Sequence, residues 1–351
     1  MPRRAATAPA SLWPDAPGPG LIGIARLAAR SPVLEAKRRV EYLEIESRSL
    51  VGKCSSPRMP FRWTINPYRG CEFGCRYCYA RYAHEFMELR DPVLFETRIF
   101  AKHFDAAAFR AELARVPLAE SIWIGTATDP YQPAERRFNV TRSILEVFAR
   151  ERARRIGITT KSDLVARDAE LLAQIAAANS IHVNLTITTL DENLARMIEP
   201  LAPRPSLRLK AVERLSAAGI RCTVLAHPVM PLINDGEKAL DALCGAAARA
   251  GAVSFSAAPL FLKPCSKQVF LPFVDRHFPH LARRYRERYE RQDYLRGEYP
   301  ARLRERVARL IAKHGLDQRD VGDLPEPWPD VPQLELFQSG NQSPRANVIS
   351  C

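Results

Sequence analysis

The sequence predicts an α/β fold in which six βα units form a parallel sheet, curled into an incomplete (β/α)6 barrel of the TIM type. Between about residues 61 and 270, short runs rich in Val, Ile and Thr alternate with amphipathic helical patterns. Hydrophobic residues make up 46% of the 351-residue chain, which is enough to fill a large core. An open doubly wound sheet would give the same alternation and remains an alternative.

Each predicted strand is followed by a helix whose apolar residues recur at three- and four-residue spacing. Because parallel strands end at one edge of the sheet, we expect ligands at their carboxyl ends. The predicted strands are 63–66, 121–126, 155–160, 182–188, 221–226 and 253–262, and the clearest helices are 140–154, 167–178, 205–218 and 237–250.

Composition divides the chain into four segments: a partly disordered extension (1–50), the catalytic core (51–270), a basic helical segment (271–323) and a flexible, proline-rich tail (324–351). Residues 276–315 contain twelve Lys and Arg against five Asp and Glu. This stretch is either a phosphate-binding surface with stacking rings or a set of solvated helices whose tyrosines cover the core. The tyrosines concerned are Tyr285, Tyr289, Tyr294 and Tyr299.

The net charge of +13 indicates either a polyanionic partner such as nucleic acid or merely an arginine-rich composition. The sequence shows no uninterrupted apolar run long enough to cross a bilayer and no apolar leader after Arg4. We therefore expect a cytoplasmic protein with no membrane association, whose eight cysteines are thiols or metal ligands rather than disulfides.

The cysteine triplet is the strongest motif. Cys71, Cys75 and Cys78 follow CxxxCxxC spacing in a loop that also contains Gly70 and Gly74. Three thiolates can hold three corners of an iron–sulfur cubane and leave the fourth iron open, whereas clusters that only carry electrons are usually closed by four ligands. The spacing therefore predicts a [4Fe-4S] cluster with one exchangeable position.

Two other interpretations of the triplet remain open. One is a structural zinc site completed by His84 or His103, which would make the chain a zinc-binding interaction protein rather than an enzyme. The other is three cysteines that only fill a core.

With its aromatic Tyr77 before the last cysteine, the motif resembles that of the radical S-adenosylmethionine (radical SAM) superfamily. The flanking residues are similar to the branch around spore photoproduct lyase and its DNA repair photolyase-like relatives. The similar segments lie between about residues 60 and 270: Asn66-Pro-Tyr-Arg-Gly-Cys71, Tyr77-Cys-Tyr-Ala-Arg81, Gly125-Thr-Ala-Thr-Asp129-Pro-Tyr-Gln-Pro-Ala-Glu135, Thr160-Lys-Ser162, Leu185-Thr-Ile-Thr188, Glu199-Pro200 and Pro231-Leu-Ile-Asn-Asp235.

The resemblance implies a cluster held by Cys71, Cys75 and Cys78, with S-adenosylmethionine bound at its open iron. One electron from a reductant such as flavodoxin or ferredoxin then splits the sulfonium bond. The resulting 5′-deoxyadenosyl radical abstracts a hydrogen atom from the substrate, while the protein positions the reactants and excludes water.

Further residues are candidates for binding the cofactor. Lys161 follows the third predicted strand, where its ammonium could pair with the cofactor carboxylate, although it could also be a solvated lysine at the barrel rim. The other candidates, each with an ordinary structural alternative, are Tyr77, Asp129, Thr186 and Thr188.

Cys265 and Cys54 are candidate hydrogen-atom donors, because radical repair can require a thiol. Cys265 lies just beyond the sixth predicted strand. In spore photoproduct lyase the donor cysteine is expected near the end of the second strand, where this chain has none between Gly125 and Thr128. The substrate could therefore differ from that of the lyase.

The tail contains Gln333-Leu334-Glu-Leu336-Phe337, which resembles the pentapeptide by which bacterial repair and replication proteins bind the sliding clamp. A helix that caps the core is the alternative. Together, the motifs predict a radical SAM enzyme, lyase-like, that acts on damaged or modified DNA. The enzymatic alternative is modification of a peptide, a protein or an RNA base.

Overall fold

A computed structural model describes residues 21–37, 40–56 and 59–322. The strands in this part of the chain are β1 (Val33–Lys37), β2 (Val40–Ile45), β3 (Val51–Lys53), β4 (Trp63–Ile65), β5 (Tyr68–Arg69), β6 (Arg98–Lys102), β7 (Ser121–Ile124), β8 (Arg155–Thr160), β9 (Ser180–Thr186), β10 (Arg221–Val229) and β11 (Ser254–Pro259).

Thirteen α-helices and two 3-10 helices, Tyr79–Arg81 and Asp163–Asp168, lie in the same described residues. The α-helices are α1 (Gly23–Arg30), α2 (Tyr82–Glu85), α3 (Leu94–Thr97), α4 (Ala106–Leu113), α5 (Glu135–Phe138), α6 (Val140–Phe148), α7 (Ala169–Ala176), α8 (Glu192–Ile198), α9 (Pro205–Ala217), α10 (Glu237–Arg249), α11 (Pro264–His277), α12 (Pro279–Tyr289) and α13 (Glu298–Lys313).

The main sheet confirms the predicted α/β fold of six parallel strands. Its order is β11-β10-β9-β8-β7-β4-β3; the strands from β4 to β11 pair in parallel, and β3 runs antiparallel at one edge. The parallel strands are added in chain order, without the reversal that defines a doubly wound sheet. No closed barrel forms among the described strands, so the (β/α)6 barrel is incomplete, as predicted.

The ends of two strands, β7 and β10, differ from the predicted ends. β7 ends at Ile124, two residues early, because Gly125 adopts φ +91° and a Cβ there would lie 2.5 Å from the Thr159 carbonyl oxygen. β10 continues to Val229, three residues beyond the predicted end, where it pairs with Pro259.

Residues 23–45, assigned above to a partly disordered extension, contain regular structure. They form α1, β1 and β2, and β2 pairs in parallel with β6 in a second sheet of order β1-β2-β6-β5. Leu43 and Ile45 are buried with Phe100, under α1. The local sequence pattern did not reveal these strands because β6, whose paired residues are 57 positions further along the chain, supplies the burial of β2.

The predicted basic segment, residues 271–323, contains the end of α11 and the helices α12 and α13, and α11 spans the predicted boundary at residue 271. Tyr285 and Tyr289 are buried, and their hydroxyls donate to the carbonyls of Pro231 and Leu260 at 2.8 Å. The idea that these two tyrosines stack on nucleic acid is therefore wrong, because both belong to the core that covers the cysteine loop. The clamp-like pentapeptide, residues 333–337, lies outside the described residues.

Candidate active site

The cysteine loop, residues 70–78, follows β4 and β5 at the carboxyl end of the sheet. Cys71 and Cys75 are buried and Cys78 is half-buried. Gly70 begins the loop with φ +83°, and the amide of Cys71 donates to the Phe95 carbonyl at 2.8 Å. A Cβ at Gly70 would lie 2.9 Å from the carbonyl oxygens of both Phe95 and Arg98, so only glycine fits this turn.

The loop after β7 holds the cysteine loop in place. The Gln132 amide group donates to the Gly70 carbonyl at 3.0 Å, and its oxygen accepts from the Glu72 backbone amide at 3.0 Å. The Thr128 hydroxyl donates to the same Gly70 carbonyl at 2.6 Å. Thr128 and Gln132 of the Thr-Asp-Pro-Tyr-Gln segment therefore hold the start of the cysteine loop in place.

A buried hydrogen-bond network anchors Tyr77. Its hydroxyl donates to the Glu199 carboxylate and lies 3.1 Å from the Thr188 hydroxyl, which also donates to Glu199 at 2.6 Å. Glu199 forms an ion pair with Arg208 at 2.6 Å. Burial alone would raise the pKa of Glu199, but Arg208 and Lys161 lower it, so the carboxylate is charged.

Lys161, directly after β8, lies beside the cysteine loop. Its ammonium is 5.6 Å from the centroid of the Tyr77 ring, a cation–π contact. Burial alone would lower the pKa of Lys161, but the charges of Cys75 and Glu199 raise it. The Lys161 ammonium therefore lies beside the cysteine loop, where a carboxylate ligand would need a positive charge.

The structure does not place Asp129 as a free ligand group. Both of its carboxylate oxygens are bonded within the protein: one accepts from the Thr160 hydroxyl at 2.6 Å and from the Tyr131 amide at 2.9 Å, and the other accepts from the Lys161 amide at 2.7 Å. Asp129 thus joins the β7 loop to the end of β8. Burial raises its pKa.

Thr186 and Thr188 are both buried near the end of β9. The Thr186 carbonyl accepts from Arg208 at 3.0 Å, while the Thr188 carbonyl accepts from the Asn234 side chain at 2.9 Å. Their bonds hold the end of β9 against the Glu199–Arg208 pair. In this structure they position the site around Tyr77 and Lys161.

The two candidate thiol donors lie at opposite ends of the sheet. Cys265, at the start of α11, is buried with its Sγ 3.7 Å from the Tyr79 carbonyl oxygen, and the charge of Cys78 acts on it. Cys54 packs with Phe61 and Trp123, and its amide donates to Arg62 just before β4 begins. Only Cys265 is therefore brought together with the cysteine loop.

The histidines proposed for a zinc site have other partners. Nε2 of the buried His84 lies 3.0 Å from the Arg98 carbonyl oxygen, and its ring packs edge-on against Phe95. His103 is exposed and pairs with Glu44 at 3.0 Å. Within the described ranges, no three His, Cys, Asp or Glu side chains are grouped to hold a single metal ion.

The donor set fits an iron–sulfur cluster. Three thiols project from one loop, and in a cubane each binds a different iron, so they need not converge on one point. Burial raises the pKa of Cys75 to about 12 and also raises the pKa values of Cys71 and Cys78. Thiolates in this buried loop therefore need the positive charge of a metal centre.

A row of aromatic rings extends from the cysteine loop across the carboxyl end of the sheet. Tyr79, the residue after Cys78, is its centre, and all five rings are at least partly exposed. We call these five residues the aromatic row, and successive centroids are separated as follows: Phe86 to Tyr82 5.9 Å, Tyr82 to Tyr79 6.4 Å, Tyr79 to Phe261 5.2 Å and Phe261 to Tyr294 5.2 Å.

Sequence reasoning did not find several of these residues. Nothing in the sequence distinguishes Arg208 from other basic residues on amphipathic helices. In the same way, nothing distinguishes Gln132 from other residues in turns. Glu199 was noted only as part of a motif. The aromatic row is assembled from three separate parts of the chain, so no local pattern could have revealed it.

Comparison with known proteins places this geometry in a family. Residues 65–243 match the model of the radical SAM superfamily. An uncharacterised protein of Mycobacterium tuberculosis is 36% identical over 302 residues, which are 86% of this chain and 87% of that protein. An uncharacterised protein of Methanocaldococcus jannaschii is 28% identical over 203 residues, 57% of this chain and 71% of its own.

Solved structures show the same fold. A spore photoproduct lyase variant with bound AdoMet and dinucleoside spore photoproduct matches with a TM-score of 0.59 at 15% identity, covering 86% of this chain and 85% of that one. Another, complexed with dinucleoside spore photoproduct, matches with a TM-score of 0.58 at 14% identity, covering 84% of each chain.

The chain belongs to the radical SAM superfamily. Members of this superfamily use a [4Fe-4S] cluster and S-adenosylmethionine, so the predictions of fold, family and cofactors are confirmed. None of the helices in the described ranges is both long and apolar enough to span a bilayer.

Proposed function

We propose that this chain reductively cleaves S-adenosylmethionine at a cluster held by Cys71, Cys75 and Cys78, and that its substrate is a base in DNA. The observation that carries the substrate proposal is the aromatic row, which begins one residue after Cys78 and lies along the edge of the sheet where ligands bind. The bound cluster and S-adenosylmethionine would supply the radical chemistry.

The chain's own residues prepare the site for that chemistry. Lys161 presents a positive charge beside Tyr77, suited to the carboxylate of the methionine part. Tyr77 and Thr188 are held by Glu199, and Asp129 fixes the backbone that carries Lys161. These bonds keep the ammonium and the cysteine loop in one arrangement before the ligand arrives.

A DNA base suits the aromatic row because every base has a flat face that stacks on an aromatic ring. The net charge of +13 would attract the phosphates. The structures that share this fold at a TM-score above 0.5 include complexes with a dinucleoside lesion, which supports the choice of substrate by analogy of fold. Damaged or modified bases leave the duplex stack more easily, which favours a lesion as the target.

We assign Cys265 as the hydrogen-atom donor of this reaction: its S–H hydrogen passes to the substrate radical, and one electron from the reductant and one proton restore the thiol from the thiyl radical that is left. Its thiol is next to Tyr79, at the centre of the aromatic row. Burial raises the pKa of the Cys265 thiol to about 11, so the group keeps the hydrogen atom that it would donate. A Cys265→Ala variant should still form 5′-deoxyadenosine but give altered or slower substrate products. Unaltered products at the wild-type rate would exclude Cys265.

The test of the cluster chemistry is anaerobic reconstitution with iron and sulfide, then reduction by dithionite with S-adenosylmethionine. We expect a brown protein that produces 5′-deoxyadenosine, and a Cys75→Ala variant that produces none. Cys222→Ala is the matched control, since Cys222 is a buried cysteine in β10 outside the cysteine loop. Product formation by Cys75→Ala at the wild-type rate would contradict the cluster assignment.

The DNA proposal has its own test, which does not depend on the cluster chemistry. Binding of fluorescent single-stranded and lesion-containing duplex DNA should be measured at 50 and 200 mM salt. Affinity should fall as salt rises because phosphate contacts release counterions. A protein that cleaves S-adenosylmethionine but binds neither DNA at low salt would refute the DNA substrate and favour the peptide or RNA alternative.

A further inference from the structure

A surface beside the cysteine loop combines exposed arginines with an exposed leucine. It is formed by the end of α8 and the segment that leads to α9. Arg196 and Arg204 are exposed, Arg76 in the cysteine loop is half-exposed, and Leu201 is 62% exposed. We call these four residues the basic patch.

The basic patch is joined directly to the cysteine loop by backbone hydrogen bonds. The Arg76 amide donates to the Ile198 carbonyl at 2.9 Å, and the Leu201 amide donates to the Phe73 carbonyl at 3.2 Å. Phe73 and Arg76 lie between or beside the cysteines that would hold the cluster. An electron arriving at Leu201 would therefore have only the backbone of the cysteine loop to cross.

The patch also borders a cavity of about 250 Å³, whose lining includes Arg196, Pro200, Arg204 and the Glu199–Arg208 pair. Glu192, near Arg204 at 3.8 Å, is the acidic residue of this lining that faces solvent. In this lining Arg196 and Arg204 face one exposed carboxylate, that of Glu192, and Arg76 beside the lining adds a further positive charge, so positive charge is in excess. Glu199 does not change this balance, because Arg208 neutralises it below the surface.

We propose that the basic patch is the docking surface for a small acidic one-electron carrier protein. This inference rests on the proposed function, which requires one electron for each cleavage of S-adenosylmethionine. The carrier would be oxidised by one electron, and the cluster held by the cysteine loop would be reduced by it. No bond forms between the two proteins.

The chemistry of the patch suits such an encounter. Electron-transfer complexes are small and short-lived, at the low end of interface sizes. Charged residues around an apolar centre raise the association rate and orient the partner, without making the complex too tight to dissociate. Here the exposed Leu201 lies in the chain between the exposed Arg196 and Arg204. The net charge of +13 adds long-range attraction for an acidic partner.

The experiment compares two charge-reversed variants with the same change in net charge. Arg196→Glu/Arg204→Glu alters the basic patch, whereas Arg304→Glu/Arg309→Glu alters exposed positions on α13. Binding of purified flavodoxin to each protein is measured by calorimetry at 50 and 300 mM salt. We expect at least a tenfold loss of affinity in the patch variant at low salt, and little change in the α13 variant.

The second measurement separates docking from the chemistry. Formation of 5′-deoxyadenosine is followed with dithionite and with reduced flavodoxin. The patch variant should match the wild type with dithionite and be at least tenfold slower with flavodoxin. A Leu201→Ser variant, which keeps the charges, should show the same selective loss.

Equal affinity for flavodoxin in the patch variant and the wild type would overturn the proposal, as would an equal loss in the α13 variant. If the patch variant also fails with dithionite, the binding measurement alone decides. A wild-type protein that makes no 5′-deoxyadenosine with dithionite would instead refute the proposed function, whatever the binding data show.

Discussion

The carboxylate of Glu199 lies 2.6 Å from the guanidinium of Arg208, and each side chain is only 1% exposed. The pair also receives the hydroxyls of Tyr77 and Thr188, so it connects the cysteine loop, the end of β9 and helix α9. A buried pair of this kind costs desolvation and gives little net stability. The pair instead fixes the position of the Tyr77 hydroxyl, and with it the Tyr77 ring that the Lys161 ammonium contacts.

Removing one partner of this pair should be strongly destabilising. Glu199→Gln leaves the Arg208 charge buried without its partner, so we expect the free energy of unfolding to fall by about 3–5 kcal/mol. Urea denaturation measures it. The control is Glu298→Gln, which breaks an exposed pair with Arg302 and should cost less than about 0.5 kcal/mol. Equal losses in the two variants would show that the buried pair has no special role.

The Gly70 turn offers a matched comparison with Gly297, because their φ values are +83° and +80°. Alanine at either site carries the strain of a positive φ, on the order of 1–3 kcal/mol. At Gly297 nothing lies within 4 Å of the added Cβ, whereas at Gly70 two carbonyl oxygens lie 2.9 Å away. Gly70→Ala should therefore also displace the cysteine loop.

Iron content after anaerobic reconstitution separates the two effects. We expect Gly297→Ala to bind as much iron as the wild type and to lose only a few degrees in Tm. Gly70→Ala should bind little iron and lose more. If Gly70→Ala retained full iron content, the close approach of the loop to Phe95 and Arg98 would not be needed for the cluster site.

The sequence predicted the main sheet well because its signals are local. Each strand from β7 to β10 carries its own Val, Ile or Thr residues, and the helices that follow carry their own apolar spacing. The same is true of Cys71, Cys75 and Cys78, whose spacing is within one loop. Features that are set by residues close together in the sequence could therefore be predicted directly from it.

What the sequence could not show depends on contacts between distant segments. Tyr77 and Glu199 are 122 residues apart, and nothing in the local pattern marks them as partners. Cofactor binding by Asp129 stays a prediction, and the structure adds its hydrogen bonds to Thr160 and Lys161, 31 and 32 residues further on, which no local pattern marks. The sequence could mark Tyr77 and Asp129 as candidate site residues, but it could not show which distant side chains they contact.

Buried histidines should make stability depend on pH. Burial lowers the pKa of His182 to about 4, and its Nε2 lies 2.7 Å from the Thr223 hydroxyl. The unfolded chain takes up a proton near pH 6.5, before the folded chain does, so stability is lost as pH falls from about 6.5 to 4. The loss from this residue should reach about 2 kcal/mol at pH 5.

A His182→Asn variant tests this prediction by urea denaturation at pH 8 and pH 5. The value at pH 8 reports any loss of packing, and the difference between the two values reports protonation. The variant should lose about 2 kcal/mol less than the wild type between the two conditions. Burial also lowers the pKa values of His84 and His227 to about 4. Both residues are present in the wild type and in the variant, so their contribution to the pH dependence cancels in the comparison. An unchanged pH dependence would contradict the prediction.

The aromatic row provides the test that most directly addresses the substrate. Phe261 packs between Tyr79 and Tyr294, at 5.2 Å from each ring. If bases stack on this row, Phe261→Leu should weaken single-stranded DNA binding by about 1–3 kcal/mol, or roughly 5- to 150-fold. Phe104→Leu is the control, because Phe104 is also half-buried but packs against Phe109, away from the row.

The salt dependence then distinguishes stacking from charge. Stacking contributes no phosphate contact, so Phe261→Leu should shift the whole affinity curve while leaving its slope against salt unchanged. A variant that changes the slope would indicate that the ring positions an arginine rather than a base. If Phe261→Leu and Phe104→Leu bind DNA equally well, the row is part of the hydrophobic packing around the cysteine loop and the substrate must be recognised elsewhere.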